Sequence, residues 1–332
     1  MSLRVHQIGP ACTVQDQGRT GLLDQGLSRS GAADQLALHE GAALLGHSPD
    51  CAALEMAGIG GTFEATQPIN IALTGAPMQA SIDISPVAWN ASHPLEPGQK
   101  LVIGAVKQGN YGYLHIAGGI DAPLFLGSRA THLTANAGRA VQAGDLLPAG
   151  QASGRAGMKL RPDDRFNGGE LRVVASFQTP LFDQNTRDRF AGTTFRRGAR
   201  ANRMGVQLDC DGDGFAAKGQ LNILSEVITP GDIQMTGTGN PFILLPECQT
   251  TGGYPRIATV LPCDLPRAAQ TPAGAEVRFK FVTLDDAVAL HAAYLADLSR
   301  LRARVEPLVR DPNDIADLLS YQLISGMISA TD

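Results

Sequence analysis

The sequence predicts a mainly β protein: two β-rich domains followed by a helical tail. Three observations point there. Glycine and proline are abundant, at 38 and 20 of 332 residues, and they cut the chain into short segments separated by turns. Within many of those segments apolar residues recur with a period of two, the spacing of a strand with one buried face. Helical periods are confined to one early segment and to the C-terminal tail. The length exceeds what one compact core holds and suits two domains, which together bury roughly 75% of the surface of the unfolded chain.

Taken in order, Arg4 to Ile8 reads as a strand stopped by Gly9-Pro10. A helix is expected from about Ala32 to Leu45. Ser30 or Asp34 can cap its start, Leu36, Ala37 and Leu44 share a face, and Gly46 ends it. Strands follow at Ile69-Ile71-Leu73, at Ile82 and Ile84, at Leu101 to Ile103 and at Tyr111 to Ala117. The small, polar stretch from Gly150 to Gly157 and the charged one from Arg161 to Gly169 mark a boundary. The expected units are therefore 1–155, a β-rich domain with one helix; 156–284, a second β-rich domain; and 285–332, a helical tail. In the second half Leu171 to Ala175, Ile223-Leu224, Ile233 to Met235, Phe242 to Leu245, Ile257 to Leu261 and Val277 to Val282 are strand-like. Val277, Phe279 and Phe281 alternate with Arg278 and Lys280, as a half-buried strand requires.

One device recurs. Pro97-Gly98-Gln99, Ala143-Gly144-Asp145, Pro230-Gly231-Asp232 and Ala273-Gly274-Ala275 each lead into an apolar strand. With two copies in each half, it suggests two β domains of related design. The tail carries an amphipathic helix over Asp285 to Arg304, with Val288, Tyr294, Leu298, Leu301 and Val305 close to one face. A second helix, Asp314 to Ile328, is expected after Asp311-Pro312.

Composition excludes several classes of function. A net charge of −5 and a pI near 5.8 do not suit a nucleic-acid surface, which needs a basic face. Cys12, Cys51, Cys210, Cys248 and Cys263 are odd in number and lack a CxxC pair, so reduced thiols in the cytoplasm are expected. Met1 to Ile8 has no apolar leader character, and no apolar run approaches the roughly 18 residues of a membrane span.

Some motifs fail on inspection. Asp209-Cys210-Asp211-Gly212-Asp213-Gly214 opens like a calcium loop, but the twelfth position is Gln220 where a bidentate carboxylate is required. Gly157-Met158-Lys159-Leu160 is similar to a biotin-attachment hairpin without its flanking acidic residue, and reads as linker. Gly58-Ile59-Gly60-Gly61 is a glycine cluster, not a dinucleotide fingerprint, and there is no Walker A loop. The seven histidines are dispersed and support no metal site.

Five segments combine glycine with charged or amide residues more densely than turns require. They are Thr13 to Arg19, Ser28 to Asp34, Gly118 to Asp121 with Gly127 to Thr131, Asn202 to Gly205, and Gln249-Thr250-Thr251-Gly252-Gly253-Tyr254. Glycine lets backbone N–H groups approach a ligand closely. Arginine supplies a planar fork for carboxylate or phosphate. Hydroxyls and amides in Thr250 to Gly253 are what a developing oxyanion needs.

These residues also carry a family resemblance. TVQDQGRTG, GLSRSGAAD, GGIDAPLFLGSRAT, NRMGVQL, SEVITPGDIQ, QTTGGYPRIATV and DLPRAAQTPAG, in that order from about residue 3 to 285, resemble the family of the 5-oxoprolinase C subunit. That family includes the second half of the carboxyltransferase domain of urea carboxylase, also called allophanate hydrolase subunit 2. One departure is Glu247, where many relatives carry Asp; the extra methylene moves a carboxylate by about 1.5 Å.

The resemblance implies that at least one of the two domains, 156–284, is a cyclophilin-like β-barrel, and that an active cleft is shared with a B-type partner subunit. With an A-type partner as well, and with ATP bound by the partners, it implies opening of 5-oxo-L-proline to L-glutamate. The alternative it carries is a carboxyltransferase subunit of a biotin-dependent urea or amide carboxylase, with biotin on a separate carrier. A third is a non-catalytic regulator that binds a kinase inhibitor. On this footing Arg19 and Arg203 are expected on substrate carboxylate or phosphoryl oxygens, and Asp16, Asp34 or Asp264 as arginine-orienting groups or bases. Glu226 is a further carboxylate candidate. Thr250, Thr251, Gly252 and Gly253 are expected as oxyanion donors, with Tyr254 and Gln270 shaping the wall. Ser30, Gly31, Gly118, Gly119, Ser128 and Arg129 complete the expected binding set.

Overall fold

The four recurrent turns show how local chemistry builds this molecule. Gly98, Gly144, Gly231 and Gly274 all sit at positive φ, between +81° and +99°, where a side chain would be strained. They deliver the chain into strands Lys100–Val106, Leu146–Pro148, Asp232–Met235 and Glu276–Phe281. The computed structural model describes residues 1–150, 154–215 and 224–309. Part of the expected boundary segment (151–153), Gln220, Ile223 and the second expected tail helix lie outside them, and Leu224 carries no strand.

The N-terminal half forms two sheets. One orders strands Leu146–Pro148, Ser2–Ile8, Gly61–Ala65, Lys100–Val106, Met78–Ile82 and Ser85–Pro86. The other orders Thr13–Gln15, Ala53–Ala57, Tyr111–Ile116, Ile69–Gly75, Ala91–Leu95, Met158–Lys159 and Glu306–Pro307. Leu3, Phe63, Ile71, Leu73 and Leu114 fill the core between them. Ile84 does not extend its strand. It lies 96% exposed in the two-residue turn after Ile82, beside Asp83 at φ +53°. Apolar alternation there gives way to hairpin geometry.

The C-terminal half is a closed barrel of seven strands: Gly169–Val174, Arg256–Val260, Asp232–Met235, Pro241–Leu244, Gly205–Asp209, Phe195–Asn202 and Glu276–Phe281. The halves share the turn device but not the architecture, two open sheets against one closed sheet. Phe195–Asn202, with the sequence FRRGARAN, was not legible as a strand, because its arginines mask any alternation. Ladder pairing to the neighbouring strands holds it in place.

Helix α1 spans Gln35–Leu45. Asp34 caps it by accepting from Ala37 N at 3.2 Å, and Gly46 closes it in the left-handed conformation, both of which local sequence prescribes. A second helix, α2 (Gln184–Gly192), inserts Phe190, whose ring stacks on Phe279 with centroids 4.8 Å apart. A short α3 follows at Leu265–Gln270. The expected amphipathic helix is α4, Leu284–Arg300, capped by Thr283 and continued by a 3-10 turn to Arg304. Val288 of its expected apolar face is exposed, whereas Tyr294, Leu298 and Leu301 line a groove against the body. Past that turn Glu306–Pro307 pairs with Met158–Lys159. The Met158-Lys159 segment is therefore a strand of the N-terminal sheet and not linker.

One core cluster joins Ala33, Leu38, Tyr111 and Tyr113 of the first half to Leu171, Ile233 and Ala268 of the second. The two halves thus meet through shared apolar burial.

Candidate functional site

Arg203 explains how the halves are locked. Asn202 pairs with Gly205, so Arg203 and Met204 form the two-residue tip of a barrel hairpin. From that tip the guanidinium reaches into the N-terminal half. Its Nε donates to Glu247 Oε1 at 2.5 Å, its Nη1 donates to Glu55, and its Nη2 donates to the Gly31 carbonyl at 2.6 Å. Glu55 Oε2 also accepts from Tyr113 Oη at 2.6 Å and Ala33 N at 2.8 Å. Burial works against the arginine's charge, but Glu55 and Glu247 hold its pKa above the ordinary value. A buried cation between two carboxylates, with every nitrogen bonded, is held as a fixed charge.

The Glu247 side of this network opens onto a polar cleft of about 550 Å³, lined by Ser28, His132, Gln234, Glu247, Thr250 to Gly253 and Tyr254. The segment expected as an oxyanion site forms one wall. Thr251–Gly252 pairs with Glu226–Val227 as a small separate sheet, and Ile228 N donates to the Thr250 carbonyl at 3.0 Å. Gly252 lies close against the wall: a Cβ there would lie 2.4 Å from Gln234 Nε2, the end of a flexible side chain. Gln234 is itself buried, and that amide nitrogen has no hydrogen-bond partner among the described residues. Opposite, Ser28 Oγ lies 2.8 Å from His132 Nε2, and His132 Nδ1 lies 3.8 Å from Glu247 Oε2. Burial lowers the His132 pKa; Glu247 opposes that shift, while Arg19 and Arg203 reinforce it. Among the described residues no lysine or arginine lines the cleft.

The other expected residues fall into separate places. Asp16 accepts from Gly18 N, Ser128 Oγ and Arg129 N at 2.6 to 2.8 Å, which pins the loop carrying Ser128. Arg19 donates to the Ala130 carbonyl and faces the Phe125 ring; its Nη1 is buried without a partner among the described residues. Ser30 Oγ donates to the Thr131 carbonyl at 2.8 Å. Gly31 lies at φ +84°, and a Cβ there would meet Gly18 N at 2.8 Å. Arg129 pairs with Asp121 at 2.6 Å.

Gly118 and Gly119 make a left-handed turn after Tyr111–Ile116, against Cys51 and Gly150. Asp34, besides capping α1, accepts from Arg165 Nε at 2.7 Å and Gln270 Nε2 at 2.8 Å. The Gln270 side chain is enclosed at the junction of the halves and does not line the cleft. Glu226 accepts from Arg256 Nη2 at 2.5 Å and Gln178 Nε2 at 2.8 Å. Asp264 is paired with Arg172 beside the larger groove, about 660 Å³, between α4 and the body. That groove's acids and bases neutralise one another, which leaves the Ser28 cleft as the better candidate.

Three cleft-side residues escaped the sequence reading, Glu55, His132 and Gln234, and Ser28 was singled out only as the start of the segment Ser28 to Asp34. Glu55 left one signal, a lone carboxylate inside the apolar strand Ala53–Ala57. His132 left none, since its partners are more than a hundred residues away in sequence. Among the described residues no group of His, Cys, Asp and Glu is placed to hold a metal, and no helix is long and apolar enough to cross a membrane.

Residues 25–281 match the family model described as carboxyltransferase domain, subdomain A and B. The chain is 33% identical over 291 residues to the 5-oxoprolinase C subunit of Escherichia coli (strain K12), covering 86% of this chain and 93% of that protein. It is likewise 33% identical over 304 residues to the 5-oxoprolinase C subunit of Haemophilus influenzae, covering 89% and 96%. The crystal structure of the K. lactis urea amidolyase superposes with a TM-score of 0.80 at 23% identity, a likeness of fold. It covers 94% of this chain, which spans 21% of that protein.

Proposed function

Because the chain belongs to the carboxyltransferase domain family, subdomain A and B, we propose that it is the C-type subunit of an ATP-dependent 5-oxoprolinase. In that role it opens 5-oxo-L-proline to L-glutamate together with B-type and A-type partner subunits. The observation that carries this reading is the cleft itself. Its volume is that of a small-molecule site. Its polar lining is hydroxyl, amide, one thiol, one imidazole and one carboxylate, with Gln234 Nε2 buried at its wall and without a partner among the described residues. The planar, uncharged lactam group suits such a lining, since its carbonyl needs donors and its N–H needs an acceptor; the substrate's carboxylate is assigned to the partner side of the cleft.

The phosphates of ATP would face Glu247, and among the described residues no arginine or lysine is on the lining, so nucleotide binding is assigned to the partners. ATP, when bound there, supplies phosphoryl activation of the lactam oxygen. This chain's residues hold the lactam. Thr250, Thr251 and the Gly252-Gly253 backbone face the developing oxyanion, and Tyr254 covers the opening. Arg203 acts behind them by fixing Glu247. The test combines the purified subunits with ATP and 5-oxoproline and measures glutamate. Glutamate should form only when this chain is present; equal release without it overturns the reading.

The fold likeness to urea amidolyase favours a second reading, carboxyl transfer from biotin on a separate carrier. Biotin's ureido ring is also a planar amide and suits the same lining. Decarboxylation of carboxybiotin by the subunits without ATP would select it.

A further inference from the structure

Ser28, His132 and Glu247 stand in line along the cleft. Ser28 Oγ is 2.8 Å from His132 Nε2, His132 Nδ1 is 3.8 Å from Glu247 Oε2, and the other Glu247 oxygen is held by Arg203 at 2.5 Å. They come from three remote segments and are only 2%, 4% and 3% exposed, yet all three line the cleft. We propose that they form a proton relay serving the reaction in this cleft, with Ser28 as the group that meets the reacting N–H or water and His132 as the proton acceptor behind it. The proposal rests on the reading of the cleft as an amide-opening site.

The step balances as follows. A water proton passes to Ser28 Oγ while the Ser28 hydroxyl proton passes to His132 Nε2. The water oxygen bonds to the amide carbon. The imidazolium then returns its proton by the same path to nitrogen as the C–N bond breaks, leaving an acyl phosphate at the activated oxygen that a second water splits to carboxylate and inorganic phosphate. Four kinds of group face the imidazole: the Ser28 hydroxyl, the Glu247 carboxylate, the Arg19 and Arg203 cations, and the Ala135 N–H, 3.4 Å from Nδ1. Burial and the two arginines keep the ring neutral at neutral pH, the form that accepts a proton. Glu247 stabilises the imidazolium once it forms, and Arg203 keeps that carboxylate oriented.

Ala135 and Glu247 compete for Nδ1, and both contacts are long. The relay requires Nδ1 to carry the proton and aim it at Glu247, leaving Nε2 to accept from Ser28. A buried Ser–His bond that only ties two loops together requires neither.

The assembled complex, assayed with 5-oxoproline and ATP, separates the two. Ser28→Ala and His132→Gln should each lower kcat by about 10²- to 10⁴-fold with KM little changed. Added imidazole should partly restore a His132→Gly variant. Glu247→Gln keeps a bond to Arg203 but removes the charge that supports His132 protonation, so the acidic limb of the kcat profile should move to lower pH. A folded His132→Gln complex with kcat within about threefold of wild type, far short of the roughly 10²-fold lower bound of a general-base effect, overturns the relay. A wild-type complex inactive on 5-oxoproline would instead overturn the proposed function. The relay is then read on the isolated chain by ¹⁵N NMR of His132: protonated Nδ1 with bare Nε2 supports it, and the opposite tautomer overturns it.

Discussion

Arg203 and Arg165 are built alike and serve differently. Each is buried where the two halves meet, and each takes at least one carboxylate from the N-terminal half. Arg165 binds Asp34 at 2.7 Å, Glu40 at 2.7 Å and Asp163 at 2.6 Å, and packs over the Phe166 ring. Its carboxylates are occupied further: Asp34 also caps α1 and accepts from Gln270. Arg203 binds Glu55 and Glu247, but the second Glu247 oxygen is left facing His132 in the cleft. The difference teaches that a buried ion cluster becomes part of a site when one of its carboxylate oxygens remains uncommitted toward a cavity. Charge alone does not distinguish the two.

Replacing each arginine is the strongest way to break this comparison. Arg203→Met and Arg165→Met each strand two buried carboxylates, and each should cost about 3–5 kcal/mol in denaturant unfolding. Turnover per folded molecule, measured with the partner subunits present, should collapse for Arg203→Met and persist for Arg165→Met. Equal turnover in the two variants would erase the distinction.

A pair of glycines sharpens it. Gly41 lies in α1 on the Arg165 side, and a Cβ there would come within 2.3 Å of the His115 ring. Gly41→Ala should lose about 1–3 kcal/mol by overpacking and leave turnover unchanged. At Gly252 the obstructing atom is the end of the flexible Gln234 side chain. Gly252→Ala should therefore cost little stability, under about 1 kcal/mol, yet impair turnover because the cleft wall moves. Thermal unfolding beside the glutamate assay reads both.

pH separates the regions in a third way. His115 is wholly buried against Thr74, and burial pushes its pKa down from 6.5 to about 3. Between those values the unfolded chain binds a proton that the folded chain does not. Stability from this group is complete above about pH 6.5 and falls as pH drops toward 3, by at most about 1.4 kcal/mol per pH unit. His115→Gln should flatten that part of a Tm-against-pH curve; an unchanged slope would assign the acid sensitivity elsewhere. The smallest expected effect is at Tyr254, which is 50% exposed. Tyr254→Ala should change stability by no more than about 0.5 kcal/mol and raise KM for the amide.

Much of the architecture was legible because its causes are local. Asp34 and Gly46 bracket α1 through their own side chain and backbone preference. The four glycine turns lead into strands through their positive φ. Ile84 misled because alternation says nothing of where a two-residue hairpin ends a strand. Within the site, Thr250 to Tyr254 was legible as a glycine- and hydroxyl-rich segment, and Glu247 beside it as a departure from the family pattern. Asp34, Asp264 and Gln270 were equally prominent in sequence, but their polar atoms are satisfied at other junctions.

The sequence by itself determined a mainly β fold, the turns that deliver its strands, the family, and one wall of the cleft. Only the tertiary structure decided which residues face that wall and which charges are paired away. Ser28, Glu55, His132 and Gln234 reach the cleft and its ion cluster from separate segments, brought together by barrel closure and by the core shared between the halves. The physical reason is that turn and capping preferences act within a few residues. Charge pairing and desolvation depend on distances in space that chain order does not encode.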